Sequence, residues 1–348
     1  MRQDTNYAYA VGRIRVLEKS LLKNSDYDAL IDAGDESFVT LLSGLGYAAP
    51  VKADDAAETD VLRQLSDLFA ARFTDTVREV MKFAPEPEVL SVFLLPADCS
   101  NAKICVKSIA GQNEVSGEMP VLSRGGTLPP EMIWDAVRKG EQGRLGSGFY
   151  KALTGALEEL SVSGNARKAD LILDRACFVN MRELVAKGCY FTRKFMNRYL
   201  DIYADWTNIL TAERIVSADG GGQLFRSAYL HGSIAKERFV DNMTSGRRAY
   251  AGTPYEGFIE TIWRAPAAQL SPDAADKIDS AALEKLADIF MARFLAFNSN
   301  EPYRIDALAA YLGALKLETR NLRMITVGRR SGTDKETIRE LLRLTGRI

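Results

Sequence analysis

The chain has 348 residues, 47% of them hydrophobic, which is enough to bury a sizeable core. Its 45 basic and 46 acidic side chains give a formal net charge of −1, so the charge balance gives no sign of a nucleic-acid-binding surface. The longest apolar runs, such as residues 89–95, are far shorter than the roughly 20 residues of a transmembrane helix. The first residues lack the basic and then apolar pattern of a signal peptide, and we therefore expect a folded, cytoplasmic protein.

Apolar residues recur at helical spacing along the whole chain, and alternation typical of strands is almost absent. The predicted helices, in chain order, are residues 7–22, 25–32, 35–45, 60–83, 88–107, 130–139, 148–160, 170–187, 191–216, 223–243, 256–264, 280–297, 303–327 and 334–344. The pattern predicts an all-α protein. The polar stretches 110–123, 161–165 and 218–222 are candidate joints between helical parts.

The cysteines and the single histidine do not suggest a metal or redox site. No Cys-x-x-Cys pair occurs, and we expect reduced, buried thiols at Cys99, Cys105, Cys177 and Cys189. His231 is the only histidine, which argues against a histidine-based metal site. The sequence therefore predicts neither a metal nor a cofactor.

An acidic residue interrupts the apolar face of the helix predicted near the C-terminus, within residues 311–330. Glu318 lies in the middle of the apolar stripe, with Asn321 three residues further on. Arg323 follows closely enough that we expect it to help satisfy a partly buried carboxylate. The stripe itself consists of Tyr311, Leu315, Leu322 and Ile325.

The same pairing of an acid with an asparagine three residues later occurs at two earlier positions. Asp98 precedes Asn101, and Asp205 precedes Asn208. Asp205 lies nearly midway along the chain between Asp98 and Glu318. Such near-regular spacing indicates an internal repeat.

A second marker follows each of these pairs. It consists of a glycine, a hydroxyl residue, a short gap, a glutamate and an apolar residue two positions further on, which is typical of a capped helix start. The three examples run from Gly126 to Ile133, from Gly232 to Phe239 and from Gly332 to Ile338. Because the two markers keep the same order, we predict three similar helical units, at residues 1–115, 116–220 and 221–348.

The repeated pairs allow two roles. A carboxylate and an amide on one helix face can satisfy buried backbone groups and fix how helices dock, or they can contact a partner. Both roles remain open for the six residues and Arg323. A catalytic pair is not indicated, because catalysis needs unlike carboxylates in one cleft rather than equivalent ones in repeated positions.

Three stretches carry a resemblance to a known family: residues 7–22, the central run Asp205-Trp-Thr-Asn208-Ile209-Leu210, and residues 311–328. With these the chain resembles the C subunit of the prokaryotic V/A-type ATPase, whose family includes the d subunit of eukaryotic vacuolar ATPases. The resemblance covers nearly the whole length.

The resemblance implies a funnel of three similar helical units around a pseudo-threefold axis, with a central cavity. It also implies a non-catalytic protein, one copy per complex, held peripherally on the inner face of the cell membrane. One end would sit on the ring of membrane rotor subunits, and the cavity would receive the shaft formed by the D and F subunits. The protein would thereby couple ATP hydrolysis or synthesis to proton or sodium transport.

Two other classes of function are alternatives. The first is a helical-repeat scaffold or adaptor of an unrelated soluble complex. The second is an enzyme with its site in the cavity of the three units, which would require unlike titratable groups with strongly shifted pKa values.

Overall fold

The computed structural model describes residues 5–47, 58–111, 119–216, 222–267 and 280–344. In chain order the helices are α1 (Thr5–Leu17), α2 (Asn24–Asp32), α3 (Asp35–Gly44), α4 (Glu58–Met81), α5 (Pro87–Leu90), α6 (Leu95–Gly111), α7 (Pro130–Lys139), α8 (Ser147–Ser163), α9 (Ala166–Ala186), α10 (Tyr190–Val216), α11 (Gly222–Ala228), α12 (Lys236–Thr244), α13 (Glu256–Ala267), α14 (Ser280–Asn298), α15 (Asp306–Arg330) and α16 (Lys335–Leu341). Short 3-10 turns occur at Glu18–Ser20 and Ser91–Phe93. Since no strand occurs within these ranges, the all-α prediction is confirmed.

Two predicted helices are each broken in the structure. Residues 88–107 form α5, a 3-10 turn and α6, because Pro96 lacks an N–H and is tolerated only in the first turn of a new helix. Residues 223–243 form α11 and α12 with an irregular link between them, whose backbone groups bond to side chains of α10. The predicted joint at 161–165 is shorter in the structure: residues 161–163 still belong to α8, and the turn consists of Gly164, which is left-handed, and Asn165, which caps α9. Most of the joints at 110–123 and 218–222 lies outside the described residues.

The chain forms two compact units. The first combines Met1–Leu94 and Ala292–Arg347 with the short segment Ser123–Thr127. At its centre α15 packs against α1, α2, α4 and α16. Its apolar core joins residues that are distant in sequence: Tyr27, Leu30, Ile31, Phe38, Leu42, Tyr47, Leu65, Phe69, Leu322, Ile325, Ile338, Leu342 and Leu344. The predicted stripe of α15 is therefore a core face.

The second unit comprises Leu95–Leu122 and Leu128–Met291. Within it α6 packs against α7, α8 and α9, and α10 packs against α9, α11 and α12. An aromatic cluster forms where Trp206 of α10 meets Tyr255, Phe258 and Phe290. The division into three units at residues 1–115, 116–220 and 221–348 remains a prediction.

The cysteines follow the prediction with one exception. All four thiols are free, and Cys99, Cys105 and Cys177 are buried. Burial raises the pKa of the Cys105 thiol to about 12, so this thiol stays protonated. Cys189 is exposed, contrary to expectation, because it lies in the turn between α9 and α10 rather than on a core face.

Within the described ranges, no single helix is long and apolar enough to cross a membrane. The helix pair Pro87–Phe93 and Leu95–Gly111 reaches the required length and composition only when its two members are joined across a bend.

Arg329 fastens the C-terminal end of α15 to α2. Its guanidinium donates to the carbonyls of Leu30, Ile31 and Ala33 at 3.2, 3.0 and 2.7 Å. The same group lies over the ring of Phe38, 4.7 Å from its centroid. These carbonyls belong to the end of α2, where helical acceptors lack intrahelical partners.

We expect Arg329→Met to lower the free energy of unfolding by about 1–3 kcal/mol, because it leaves three carbonyls of α2 without this donor. Denaturant titration of both proteins measures the difference. Arg330→Met is the matched control, since Arg330 is exposed and its replacement removes the same charge from the same helix end. Equal stability of the Arg329 and Arg330 variants would contradict this role of Arg329.

A further acid of α15 is buried without full compensation. Asp306, the first residue of the helix, is 4% exposed, and its Oδ2 atom has no hydrogen-bond partner. Burial raises the pKa of this carboxyl to about 6, opposed by its own backbone N–H and by Arg304, while nearby Glu301 reinforces the rise. The folded protein therefore binds this proton more tightly than the unfolded chain does.

From the sign of this shift, Asp306 favours folding most at about pH 4 and below, and costs stability above about pH 6. We expect Asp306→Asn to raise the free energy of unfolding at pH 8 by up to about 3 kcal/mol, with the gain shrinking as the pH falls to about 4. Urea titrations at several pH values check this, with the exposed Asp75→Asn as control for the lost charge. A variant less stable than the parent at pH 8 would refute it.

Candidate functional site

The six side chains of the repeated pairs are all buried. Asp98, Asn101, Asp205, Asn208, Glu318 and Asn321 are each at most 2% exposed. Three helices carry them: α6 the first pair, α10 the second and α15 the third. Each helix thus places a carboxylate and an amide, one turn apart, on a face that packs against protein.

Asp205 accepts three hydrogen bonds in the second unit. Its Oδ1 atom accepts from the backbone N–H of Ile234 at 3.1 Å. Its Oδ2 atom accepts from the hydroxyl of Ser233 at 2.5 Å and from the hydroxyl of Tyr255 at 2.9 Å. A buried carboxylate with these donors is a firm attachment point for the link between α11 and α12.

Glu318 makes closely similar contacts in the first unit. Its Oε2 atom accepts from the backbone N–H of Leu22 at 2.6 Å, and its Oε1 atom accepts from the hydroxyl of Tyr47. The bond to Leu22 explains why the chain leaves its helix before residue 22: Leu21 is extended, so that the next N–H can point at the carboxylate. The N-terminal helix predicted to reach residue 22 therefore ends earlier, at Leu17.

Asp98 repeats the central feature of these sites. Its Oδ1 atom accepts from the backbone N–H of Leu128 at 3.2 Å. In all three copies, then, the buried acid binds a main-chain N–H from an irregular segment just ahead of a short helix.

The asparagines of the second and third copies each form two hydrogen bonds with the main chain of a single distant residue, an arrangement that we call a clasp. Asn208 donates to the carbonyl of Leu230 at 2.7 Å and accepts from its N–H at 2.9 Å. Asn321 makes the same pair of bonds with Arg343, at 3.3 and 2.9 Å. In both copies the clasped residue lies 22 positions after the asparagine. An amide is suited to this task because it offers a donor and an acceptor side by side.

Arg323 does not contact Glu318, which corrects the expectation from the sequence. Its guanidinium donates to the carbonyl of Ser66 in α4 at 3.2 Å. Five residues along a helix turn the side chain by about 140°, so Arg323 faces away from the carboxylate. The cation that acts on Glu318 is Arg72 of α4, which lies over the ring of Tyr47.

Burial dominates the electrostatics of these acids. It raises the pKa values of both Asp205 and Glu318, while their hydrogen bonds act in the opposite direction. Burial also raises the pKa values of Tyr47 and Tyr255, which keeps the phenols protonated and able to donate. These groups are therefore arranged as donors and acceptors to one another.

The helices α7, α12 and α16 begin within the three second markers, as predicted. The predicted capping by the hydroxyl residue is wrong in each: Pro129 and Ala235 are the N-caps of α7 and α12, and neither makes a side-chain cap hydrogen bond. At α16 the N-cap is Asp334 rather than Thr333, the hydroxyl residue that follows Gly332 in the marker, and the Oδ1 atom of Asp334 accepts from the N–H of Thr337 at 2.9 Å. A carboxylate is the stronger acceptor at a helix start.

Gly232, which begins the middle one of these three markers, has a specific steric role. A Cβ atom at Gly232 would lie 2.1 Å from Oδ1 of Asp205 and 3.1 Å from the carbonyl oxygen of Asp201. Only glycine lets the backbone approach α10 closely enough for the acid to bind Ile234. The sequence marks this glycine, but it does not single out Tyr47, Tyr255 or Leu22, which look like ordinary core residues.

Two cavities can be compared with the positions of the predicted site residues. Glu318 and Asn321 line one of about 320 Å³, together with Tyr27, Tyr311 and Arg343. A larger groove of about 1330 Å³ runs between α8, α9 and α11 in the second unit, and none of the predicted site residues lines it. Among the residues that the structure describes, no group of three His, Cys, Asp or Glu side chains could hold a metal ion.

The exposed His231 has no place in these sites. Its ring meets that of Tyr229 edge-on, and its carbonyl accepts from Arg182 at 2.9 Å. The side chain thus belongs to the outer surface of the link that Asp205 and Asn208 hold.

We expect Gly232→Ala to lower the free energy of unfolding by about 1–3 kcal/mol, because the new methyl group overlaps the carboxylate of Asp205. Thermal unfolding measures the change. Gly155→Ala is the control of opposite sign: a Cβ there meets nothing within 4 Å, and α8 should gain about 0.5–1 kcal/mol. Similar stability losses in both variants would show that close approach is not the reason for the glycine.

Comparison with known proteins identifies the family. Residues 10–341 match the family described as ATP synthase (C/AC39) subunit. The C subunit of the V-type sodium ATPase of Enterococcus hirae is 23% identical over 266 residues, covering 75% of this chain and 76% of that protein. The C subunit of the A-type ATP synthase of Methanocaldococcus jannaschii is 23% identical over 361 aligned positions, covering 97% of this chain and 86% of that protein. The chain therefore belongs to the ATP synthase (C/AC39) subunit family.

Proposed function

We propose that the protein is the non-catalytic central-stalk subunit of a V/A-type rotary ATPase. It links the rotating shaft of the D and F subunits to the membrane rotor ring, so that ATP hydrolysis or synthesis is coupled to proton or sodium transport. The observation that carries the proposal is the family match over residues 10–341. The names of the two relatives, one from a sodium ATPase and one from an ATP synthase, support a rotary ATPase.

The use of the buried polar groups agrees with a mechanical role. Asp98, Asp205 and Glu318 accept hydrogen bonds from the protein's own main chain. Groups that must resist deformation are best satisfied internally, because a buried carboxylate without donors would destabilise the fold. In our proposal these side chains stiffen the body through which rotation is transmitted.

We also propose that three similar units surround a pseudo-threefold axis and enclose a central cavity that receives the shaft. The support for this arrangement is the recurrence of the acid and its main-chain partner at Asp98, Asp205 and Glu318. One copy per complex would rest on the rotor ring, held peripherally at the inner face of the cell membrane.

The proposal is tested by tagging the chain in its native host and isolating it under gentle detergent conditions. We expect it to sediment with membranes and to co-purify with ATPase head subunits and with the D and F subunits. A protein that never sediments with membranes and never brings head subunits with it would rule the proposal out. Stable recovery with other proteins alone would instead favour a scaffold of an unrelated complex.

The role of the third acid is tested separately. We expect Glu318→Ala to lower the free energy of unfolding by about 1–3 kcal/mol, because Leu22 and Tyr47 lose their acceptor, and to reduce coupling mainly through that loss of stability. The measurements are the melting temperature and binding to the purified shaft of D and F, with the exposed Glu131→Ala as control. An unchanged melting temperature with lost shaft binding would assign Glu318 to a partner contact instead.

A further inference from the structure

The main-chain N–H bound by each acid has a fixed place relative to a short helix. Leu128 lies two residues before the start of α7, Ile234 two before the start of α12, and Leu22 two before the start of α2. The helices α12 and α2 both have nine residues, and α7 has ten. The acids therefore fix equivalent helix starts, and α2 is the equivalent in the third copy.

The clasped residues have an equally regular place. Leu230 lies two residues after the end of α11, and Arg343 two after the end of α16. Both helices have seven residues. By this measure α16 corresponds to α11, although the sequence marker beginning at Gly332 equates it with α12.

The tyrosines complete the correspondence. Tyr255 donates to Asp205 and follows α12 along the chain, while Tyr47 donates to Glu318 and follows α2. In the second copy the order along the chain is acid, asparagine, seven-residue helix, clasped residue, bound N–H, nine-residue helix and tyrosine. The third copy has the same order only when its C-terminal part, from Glu318 to Arg343, is followed by its N-terminal part, from Leu22 to Tyr47.

We infer that residues 22–47 complete the third copy of the unit, and that Glu318 is the positioning residue that joins them to α15 and α16. In the first copy the bound N–H lies 30 positions after the acid, and in the second it lies 29 positions after it. Glu318 instead accepts the N–H of Leu22, which lies 296 positions before it. The segment before α2 thus takes the place that a segment downstream of the acid takes in the other two copies.

The contacts around α2 agree with this assignment. Arg329 of α15 donates to carbonyls at the end of α2, and Arg339 of α16 forms a double hydrogen bond with Asp32 at 2.7 Å to each oxygen. Lys335 pairs with the same carboxylate at 3.4 Å. Thus α2 is held at its start by Glu318 and at its end by α15 and α16, as an integral helix of the C-terminal copy would be.

Hydrogen exchange followed by mass spectrometry on the full-length protein tests the inference. Glu318→Ala is expected to speed deuterium uptake in residues 22–32 roughly fivefold or more, without a comparable change in residues 234–244. Asp205→Ala should speed deuterium uptake in residues 234–244 without a comparable change in residues 22–32. Asn321→Ala, which releases the clasp on Arg343, should speed exchange in α16 and supplies the contrasting pattern from the same helix.

The opposite assignment gives a different result. If Glu318→Ala speeds exchange in α16 and leaves α2 unchanged, the third acid positions the helix that follows it in sequence, and the inference is wrong. Should the alanine variants lose cooperative unfolding, Glu318→Gln and Asp205→Asn keep the side-chain volume and are judged by the same two-segment pattern. Equal acceleration of both segments by either of these single variants would also overturn the assignment.

Discussion

A buried carboxylate needs hydrogen-bond donors, and this need governs how the helices of the protein are joined. Asp98, Asp205 and Glu318 lie on faces that pack against protein, where a charge without partners would be strongly unfavourable. Each is compensated by a main-chain N–H just ahead of a short helix, and two also by a tyrosine hydroxyl. Apolar packing alone would let these segments shift along the long helices, since dispersion is non-directional. The hydrogen bonds select one register.

The surrounding residues make that register possible. Glycine at position 232 allows the main chain to approach Asp205, and the extended backbone at Leu21 turns the next N–H toward Glu318. Asn208 and Asn321 hold a second point 22 positions along the chain. Acid, amide and glycine therefore work together, and the cost of burying each polar group is offset by several neighbours rather than by one.

These features agree with the mechanical role that we propose for the protein. The chain belongs to the ATP synthase (C/AC39) subunit family, and its repeated buried acids are engaged with its own backbone. Asp306 differs from the repeated acids, because one of its oxygens has no hydrogen-bond partner and its pKa is raised to about 6. The free energy of unfolding therefore depends on pH through Asp306, at the start of α15, as well as through the repeated acids.

Local sequence patterns were sufficient to predict the helical class, the approximate extent of most helices and the three acid and asparagine pairs, because these follow from periodicity and spacing. They did not show that Arg323 faces away from Glu318, that Cys189 is exposed, or that residues 88–107 and 223–243 each break into two helices. Above all, Glu318 binds Leu22 and Tyr47, which lie 296 and 271 positions away along the chain. Such contacts are set by the packing of the whole fold, since no local pattern records which distant donor a buried carboxylate will accept.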